Sequence, residues 1–282
     1  MTWCHNCSMA SPTSSAIPQR PTRASGSHSY RYVSLEHSNP PAHADRLEWL
    51  KAIILKHQLY VPNVGQLNDP ADGSPRFTLL SPPQFLSELF GPRHGVLRNN
   101  PGLSLDAQIA EAYVIDYNIQ LHGAEKLQRR YKDIFDETMN QWKVYCLSKR
   151  YDNMNLWAKY ADKHRGYCLE FANEGAFFAC AMNVTYGEFA AMDVTNDEHI
   201  NINWFFSKGT QWSNEEEVRV LVPRQYPHEV IIDPRCLTRI ILGRKMSDSD
   251  RAVIRDWAKQ RQPELEVVTA SWDSFENVLK VA

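Results

Sequence analysis

The stretch of residues 208–222 ends in Glu-Glu-Glu-Val-Arg-Val-Leu-Val, from Glu215 to Val222. If this stretch is a strand from Glu215 onward, Glu215, Glu217 and Arg219 share one face, because strand side chains alternate with period two. The opposite face then carries three β-branched residues suited to a packed sheet: Val218, Val220 and Val222. The charged face has two interpretations. Either it is solvated, with Glu217 and Arg219 pairing loosely in water, or it lines a cleft where the two carboxylates act together.

The elements that would position this face alternate between strands and helices. Aromatic and β-branched runs predict strands near residues 30–33, 59–62, 143–148, 167–171, 182–186, 230–232, 240–243 and 265–268. Apolar residues at helical spacing predict helices near residues 45–57, 81–142, 155–162, 198–208 and 248–260. Residues 1–28 are rich in Ser, Pro, Thr and Ala without periodicity, which predicts a disordered tail. We expect residues 29–282 to form a single α+β domain with a helical insertion.

The composition is that of an ordinary globular protein: 282 residues, 43% hydrophobic and 23% charged. The formal net charge of -2 gives no global case for nucleic acid or an anionic membrane as a partner. No apolar run approaches the roughly 18 residues that span a bilayer, and no apolar signal core begins the chain, so we expect a cytoplasmic protein with reduced thiols. Cys4 and Cys7 have the spacing of half a zinc knuckle without a second pair, so no metal site is predicted.

Three separated motifs stand out along the chain. The first comprises Tyr30-Arg31-Tyr32, then Asn68-Asp69-Pro70 and Asp72. The second comprises Cys146-Leu147-Ser148 and the run LWAKYADKHRGYCLEF at residues 156–171. The third comprises Lys208, Trp212-x-x-Glu215-x-Glu217-x-Arg219 and Ile240-Ile241-Leu242-Gly243. In combination, over residues 29–245, these motifs resemble the bacterial family called domain of unknown function twenty-nine seventy-one, which implies no activity by itself. Lys159 departs from that family, which commonly has histidine there.

The chain also resembles ADP-ribosyltransferase-like domains in the order of an arginine, a serine and a glutamate pair. Arg31 falls on an early strand, Ser148 on a middle strand, and Glu215 and Glu217 on a late strand. This resemblance implies a mixed, split β-sheet around a nicotinamide cleft, with NAD as the substrate. It further implies that Arg31 holds the dinucleotide, Ser148 orients the glutamate, Glu217 bonds the nicotinamide ribose and Glu215 lies near the acceptor.

The chemistry of N-glycosidic cleavage requires these residue types. Breaking the bond builds positive charge on the ribose, which a nearby carboxylate stabilises. A serine hydroxyl can hold such a carboxylate in place, and the fork of a guanidinium suits a pyrophosphate better than lysine does. Under this interpretation Tyr30, Trp157 and Tyr160 would join Arg31 around the dinucleotide, and Glu217, Glu215 and Ser148 would form the catalytic group.

A second hypothesis is a non-catalytic binding or sensing module of a bacterial stress or phage-defence system. It keeps the charged face as an ion-pair surface and consumes no NAD. Each residue also has a purely structural interpretation: Arg31 could pair with a core carboxylate, Ser148 could be a strand-end hydroxyl, and Trp157 and Tyr160 could pack in the core. A macromolecular acceptor stays unidentified under either hypothesis. Convergence of Arg31, Ser148 and Glu217 on one cleft would favour the enzyme.

Overall fold

A computed structural model describes residues 19–35, 43–67, 123–189 and 202–282 except 277, together with scattered positions between 102 and 121. Three features of the sequence analysis lie outside these residues: the Cys4–Cys7 motif, the Asn68-Asp69-Pro70 turn and most of the helical region between residues 81 and 123. The α+β class is confirmed by the described residues, which form one large mixed sheet with helices packed on it.

The large sheet contains eight strands in the order β12-β11-β10-β4-β1-β3-β8-β5. Within this sheet, of the strands that the structure describes, β10 and β11 pair in parallel and the other neighbours are antiparallel. Two short two-stranded sheets, β2 with β9 and β6 with β7, lie beside it. In chain order the strands are β1 His28–Val33, β2 Gln58–Tyr60, β3 Lys143–Ser148, β4 Tyr167–Ala172, β5 Met182–Asn183, β6 Thr185–Tyr186, β7 Ser207–Lys208, β8 Glu217–Val222, β9 Glu229–Ile231, β10 Leu237–Leu242, β11 Glu266–Asp273 and β12 Val278–Val281.

Five α-helices are described: α1 His43–Lys56, α2 Ala124–Asn140, α3 Met154–Lys159, α4 Gly175–Phe178 and α5 Asp248–Gln260. In α1 the buried Leu50 and Ile54 are one turn apart, so they form the stripe that faces the sheet. Helix α5 begins at a Ser247 cap whose hydroxyl accepts a bond from the Asp250 amide, as the sequence predicts for a helix over residues 248–260.

The two faces of the sheet are packed differently. On one face α1 and α5 cover a continuous core that includes Leu147, Leu169 and Val218. On the other face two smaller apolar clusters form, one around Trp157 and the other around Trp204, Phe205 and Phe206. These two clusters rest on opposite halves of the sheet, on either side of the junction of β1 and β3.

Two predicted elements differ from the structure. Within the segment expected to be helical over residues 198–208, the described residues begin at 202 and form a short 3-10 helix, Ile202–Phe206, which runs directly into β7. Its three consecutive aromatic residues are all buried, and a regular helix would place only part of such a run on one face. The strand predicted over residues 182–186 is two pieces, β5 and β6, that pair with different neighbours.

Part of the predicted N-terminal tail is ordered against the domain. The Ala24 amide donates to the Ala181 carbonyl at 2.9 Å, and the Asn183 amide donates to the Thr22 carbonyl at 2.8 Å. The Arg23 guanidinium donates twice to the Ala179 carbonyl, at 2.9 and 2.7 Å. Backbone bonding to the edge of the sheet therefore holds residues 22–24, within a segment for which composition alone predicts disorder.

Candidate functional site

The large sheet nearly divides between β1 and β3. These strands share a single residue pair, Tyr30 with Ser148, whereas β1 pairs with β4 and β3 pairs with β8 through six residues each. Beyond that pair, β1 and β3 diverge. All eight strands still belong to one mixed sheet, so the split sheet that the resemblance implies stays a prediction. The divergence leaves strand edges open toward a cavity.

A cavity of about 390 Å³ occupies this divergence, a volume within the usual range for small-molecule sites. Side chains from both faces of the sheet reach it, including Arg46 from α1 and Tyr32 from β1. The polar side chains that line it include Tyr30, Arg31, Arg46, Gln66, Ser148, Lys159, Tyr160, Lys208, Glu215 and Glu217. The structure thus brings together all but one of the residues that the sequence analysis assigned to a site.

Glu217, the first residue of β8, is held by two buried cations. The Arg219 guanidinium donates to both carboxylate oxygens of Glu217, each at 2.9 Å, and Lys208 Nζ donates to Oε2 at 3.1 Å. The Arg219 side chain is only 1% exposed, so the interpretation of a loose surface pair in water is wrong. Such a charge-assisted, bidentate pair holds the carboxylate in one orientation.

Glu215 is joined to Glu217 through Lys208. Lys208 Nζ donates to Glu215 Oε2 at 2.7 Å, and Glu215 Oε1 accepts bonds from the Tyr160 hydroxyl at 2.9 Å and from Lys159 Nζ at 3.3 Å. Lys159 Nζ also lies 3.7 Å from the centre of the Trp212 ring, a cation–π contact. The two carboxylates and three cations therefore form one connected network at the end of the cavity.

The surroundings of Glu217 keep its carboxylate ionised. Burial by itself would raise the pKa of this carboxyl, because it disfavours the charged form. The nearby Arg219 and Lys208 charges outweigh burial and lower the pKa of Glu217 to about 2. At neutral pH this group is consequently an anion and cannot serve as a proton donor.

Glu215 and Glu217 reach the same lysine by a route that the period-two prediction missed. Glu215 ends a 3-10 helix, Thr210–Glu215, and Glu216 has a left-handed backbone with φ of 44°. The strand therefore begins at Glu217, two residues later than predicted. The left-handed residue turns the Glu216 side chain toward the surface, where its carboxylate lies 3.5 Å from Arg150.

Ser148 lies beside the glutamates but not in the expected role. Its hydroxyl donates to the backbone carbonyl of Glu215 at 2.9 Å and accepts a bond from the Arg150 amide at 3.3 Å. Ser148 positions the backbone at Glu215, and among the described residues it makes no hydrogen bond to either carboxylate. The predicted orientation of a glutamate by this serine is thus indirect.

Arg31 extends across the divergence between the strands. Its Nη1 donates to the Cys146 carbonyl at 2.6 Å, which occupies a backbone acceptor on β3, and its guanidinium lies 4.9 Å from the centre of the Tyr145 ring. No carboxylate of the described residues forms an ion pair with it. The structural alternative, a pair with a core carboxylate, is therefore not what holds Arg31.

The three predicted aromatic contacts separate into two groups. Tyr30 and Tyr160 line the cavity. Trp157 does not, because it is completely buried in the core, where its indole N–H donates to the Tyr151 carbonyl at 2.7 Å and its ring meets Tyr32 edge-on. Asn153 caps α3 and fixes this arrangement, so that Trp157 faces inward while Lys159 at the helix end reaches Glu215.

Sequence reasoning missed one cation of the cavity, Arg46, and undervalued two others. Lys208 was noted only as part of a motif, although its position seven residues before Glu215 and at the end of an aromatic run was the one available signal. Lys159 was noted only as a departure from a family. Arg46 gave no signal, because an arginine in the first turns of an amphipathic helix is ordinarily solvated.

Comparison with family models, curated proteins and solved structures finds no match to this chain. Among the residues that the structure describes, no helix has the length and apolar character needed to cross a membrane. The same residues contain no group of three or more His, Cys, Asp and Glu side chains arranged to hold a metal ion. The two family resemblances stay predictions.

Proposed function

We propose that this protein binds NAD in the cavity between β1 and β3 and transfers its ADP-ribose group, as an ADP-ribosyltransferase-like fold would. One observation carries the proposal: Arg31, Ser148 and the pair Glu215 and Glu217, which come from three distant parts of the chain, all line one cavity at the weakly joined β1–β3 junction. Arg31 reaches this cavity from the face of the sheet that carries Tyr145, and Ser148 and Glu217 reach it from the opposite face. Chain order alone suggests these roles, and chain order does not require the residues to lie close together in space.

The reaction would break the bond between ribose C1′ and the nicotinamide nitrogen. The bonding electron pair leaves with nicotinamide, which becomes neutral, and positive charge develops on the ribose. An acceptor oxygen or nitrogen, or water, then bonds C1′ and releases a proton to solvent. No net oxidation or reduction occurs, and neither step requires a metal.

The residues of the cavity would divide these tasks. The Arg31 guanidinium would bind the pyrophosphate, for which its fork is suited. The ionised Glu217 carboxylate, fixed by Arg219, would accept a bond from the ribose and stabilise the developing cation. Tyr30 and Tyr160 would provide apolar walls with hydroxyl groups.

A second candidate function, ligand binding without turnover, is favoured by a different observation. Both oxygens of Glu217 already accept bonds from Arg219, and Lys208 takes a third position, so much of the negative charge is neutralised inside the protein. A carboxylate whose charge is neutralised in this way stabilises a nearby cation less than an unpaired carboxylate does. The cavity would then serve a sensing module that binds a nucleotide and leaves it intact.

The test is nicotinamide release by the purified full-length protein supplied with NAD, followed by chromatography. Replacing Glu217 alone would leave Arg219 buried without its partner and could unfold the chain. The informative variant is therefore the pair Glu217→Gln with Arg219→Gln, which removes one charge of each sign. We expect it to keep the wild-type circular dichroism spectrum while release falls at least about a hundredfold, the loss typical for a stabilising group.

Glu216→Gln is the matched control, because it removes a neighbouring carboxylate that lies on the surface side of the turn. We expect release by this variant to equal that of the wild type. Wild-type release that survives in the paired variant would refute the role of Glu217. Binding of NAD by the wild type, without release in the presence of protein, nucleic acid or water as acceptors, would support the sensing module instead.

A further inference from the structure

The described side chains that line the cavity carry an excess of positive charge. Four are cations and two are carboxylates, so their formal net charge is +2: Arg31, Arg46, Lys159, Lys208, Glu215 and Glu217. Arg219 adds a further positive charge directly behind Glu217. A cavity lined mainly by one sign of charge concentrates ligands of the opposite sign.

Of the positive charges that line the cavity, the charge of Arg31 is the most available to a ligand. Its described contacts are the Cys146 carbonyl and the Tyr145 ring, both neutral. The side chain is half-buried, where a charge is screened less by water than at the surface. An anionic group placed beside Arg31 would therefore gain a strong, directed interaction.

The opposite end of the cavity offers little attraction for a cation. Among the residues that the structure describes, Glu215 and Glu217 are bound by Lys208, Lys159 and Arg219, which are three positive charges for two negative ones. A positively charged ring bound beside these carboxylates would also lie beside the cations that bind them. The oxidised nicotinamide ring of NAD⁺ is such a group, and the reduced ring of NADH is not.

We infer that the cavity selects phosphorylated nucleotides by their negative charge and binds NADH and ADP-ribose more tightly than NAD⁺. The inference rests on the proposed function in one respect: where water is the acceptor, ADP-ribose would be a product that the site retains after neutral nicotinamide leaves. The selectivity itself follows from the charges that line the cavity and applies equally to a module that only binds.

NADH and NAD⁺ form a matched ligand pair, because they share both phosphates and the adenosine and differ by one charge on the nicotinamide ring. We expect isothermal titration of the full-length protein at low salt to give a dissociation constant about fivefold lower for NADH, the effect of one unit charge at about 4 Å in water. Chromatography after each titration establishes that the NAD⁺ stays intact. Raising the ionic strength to about 0.5 M should weaken both ligands and reduce the difference.

Arg31→Gln should weaken NADH and ADP-ribose at least about tenfold, as expected for loss of a charge-assisted bond. Arg31→Lys keeps the charge without the fork and should recover part of the affinity. Lys259→Gln, on the last turn of α5 and outside the cavity lining, removes one positive charge elsewhere and should change neither affinity.

The outcomes separate this inference from the proposed function. NAD⁺ binding as tightly as NADH, or affinities that do not respond to salt, would overturn the inference even if nicotinamide is released. Tighter binding of NADH and ADP-ribose without any nicotinamide release would support the inference and count against transfer. Absence of binding by all three ligands would overturn both.

Discussion

Lys208 and Lys280 each bridge two carboxylates, and they differ mainly in burial. Lys208 Nζ lies 2.7 Å from Glu215 and 3.1 Å from Glu217, and its side chain is 6% exposed. Lys280 Nζ lies 2.8 Å from Asp273 and 2.6 Å from Glu276, and its side chain is 49% exposed. The same arrangement therefore occurs once inside the protein, where water cannot replace the lysine, and once at its surface, where water can.

Lys208→Met and Lys280→Met consequently form a matched pair of substitutions. We expect Lys208→Met to lower the free energy of unfolding by about 3–5 kcal/mol, because two carboxylates would stay buried beside each other with one cation fewer. Lys280→Met should have a far smaller effect, since solvated ion pairs contribute little. Urea unfolding monitored by tryptophan fluorescence measures both. Equal losses in the two variants would mean that burial does not determine the importance of Lys208.

At the scale of elements, β1 is positioned by a close contact with the loop that precedes β4. Gly166 lies so near the end of β1 that a Cβ added to it would overlap the Val33 carbonyl oxygen. Its amide donates to the Ala161 carbonyl, and its carbonyl accepts from the Gly243 amide, both at 2.9 Å. Val33 and Ser34 line the cavity, so this contact also determines where one wall of the cavity stands.

Gly166→Ala is therefore expected to lower the free energy of unfolding by about 1–3 kcal/mol, because backbone rather than a flexible side chain must move aside. Affinity for a ligand of the cavity should fall in the same variant, since the β1 wall shifts. Gly102→Ala is the control, because a Cβ there would meet no described atom within 4 Å. Thermal unfolding of both variants gives the melting temperatures to be compared with that of the wild type. An unchanged melting temperature for Gly166→Ala would show that β1 can relax without cost.

Most strands and helices could be predicted because their signals are local. The α5 helix has its Ser247 cap and apolar stripe in consecutive residues, and Val218, Val220 and Val222 alternate as a buried strand should. The left-handed Glu216 could not be predicted, because three consecutive glutamates offer no turn signal and the local conformation depends on what Ser148 and Lys208 bind. The 3-10 helix Ile202–Phe206 was missed for the same kind of reason.

The composition of the candidate site was predicted better than its bonding. Arg31, Ser148 and the two glutamates could be selected from residue type and order. Which cation binds which carboxylate depends on the relative position of β7, β8 and α3, and no spacing in the sequence encodes it. Trp157 illustrates the limit, because a tryptophan beside Lys159 and Tyr160 could face either the core or the cavity, and helix orientation decides.

At the scale of the whole molecule, an ordered arm closes one edge of the large sheet. β5 is the last strand of that sheet, and Arg23 forms an isolated antiparallel bridge with Met182 on it. The backbone bonds of Thr22 and Ala24 flank this bridge. An exposed strand edge invites pairing with another chain, so the arm both stabilises the sheet and shields this edge.

Two truncations test the arm. Removing residues 1–24 should lower the free energy of unfolding by about 1–3 kcal/mol relative to removing residues 1–18, because several hydrogen bonds are lost while some ordering entropy is regained. The shorter protein should also associate more readily at high concentration, which light scattering detects. Identical melting temperatures and identical scattering for the two proteins would show that residues 19–24 do not contribute to the fold.

The order of strands in the large sheet also affects how the protein folds during its synthesis. β1 is made first, yet both of its neighbours, β3 and β4, are synthesised more than a hundred residues later. Pairing across such separations is slow, since a long loop must close before any contact is gained. During synthesis Arg31 can gain its contacts with Tyr145 and Cys146 only after β3 has emerged, and Glu217 joins the cavity only after β8 has emerged. The cavity is a late product of folding, and fragments that end before residue 217 would carry its arginine but no binding site.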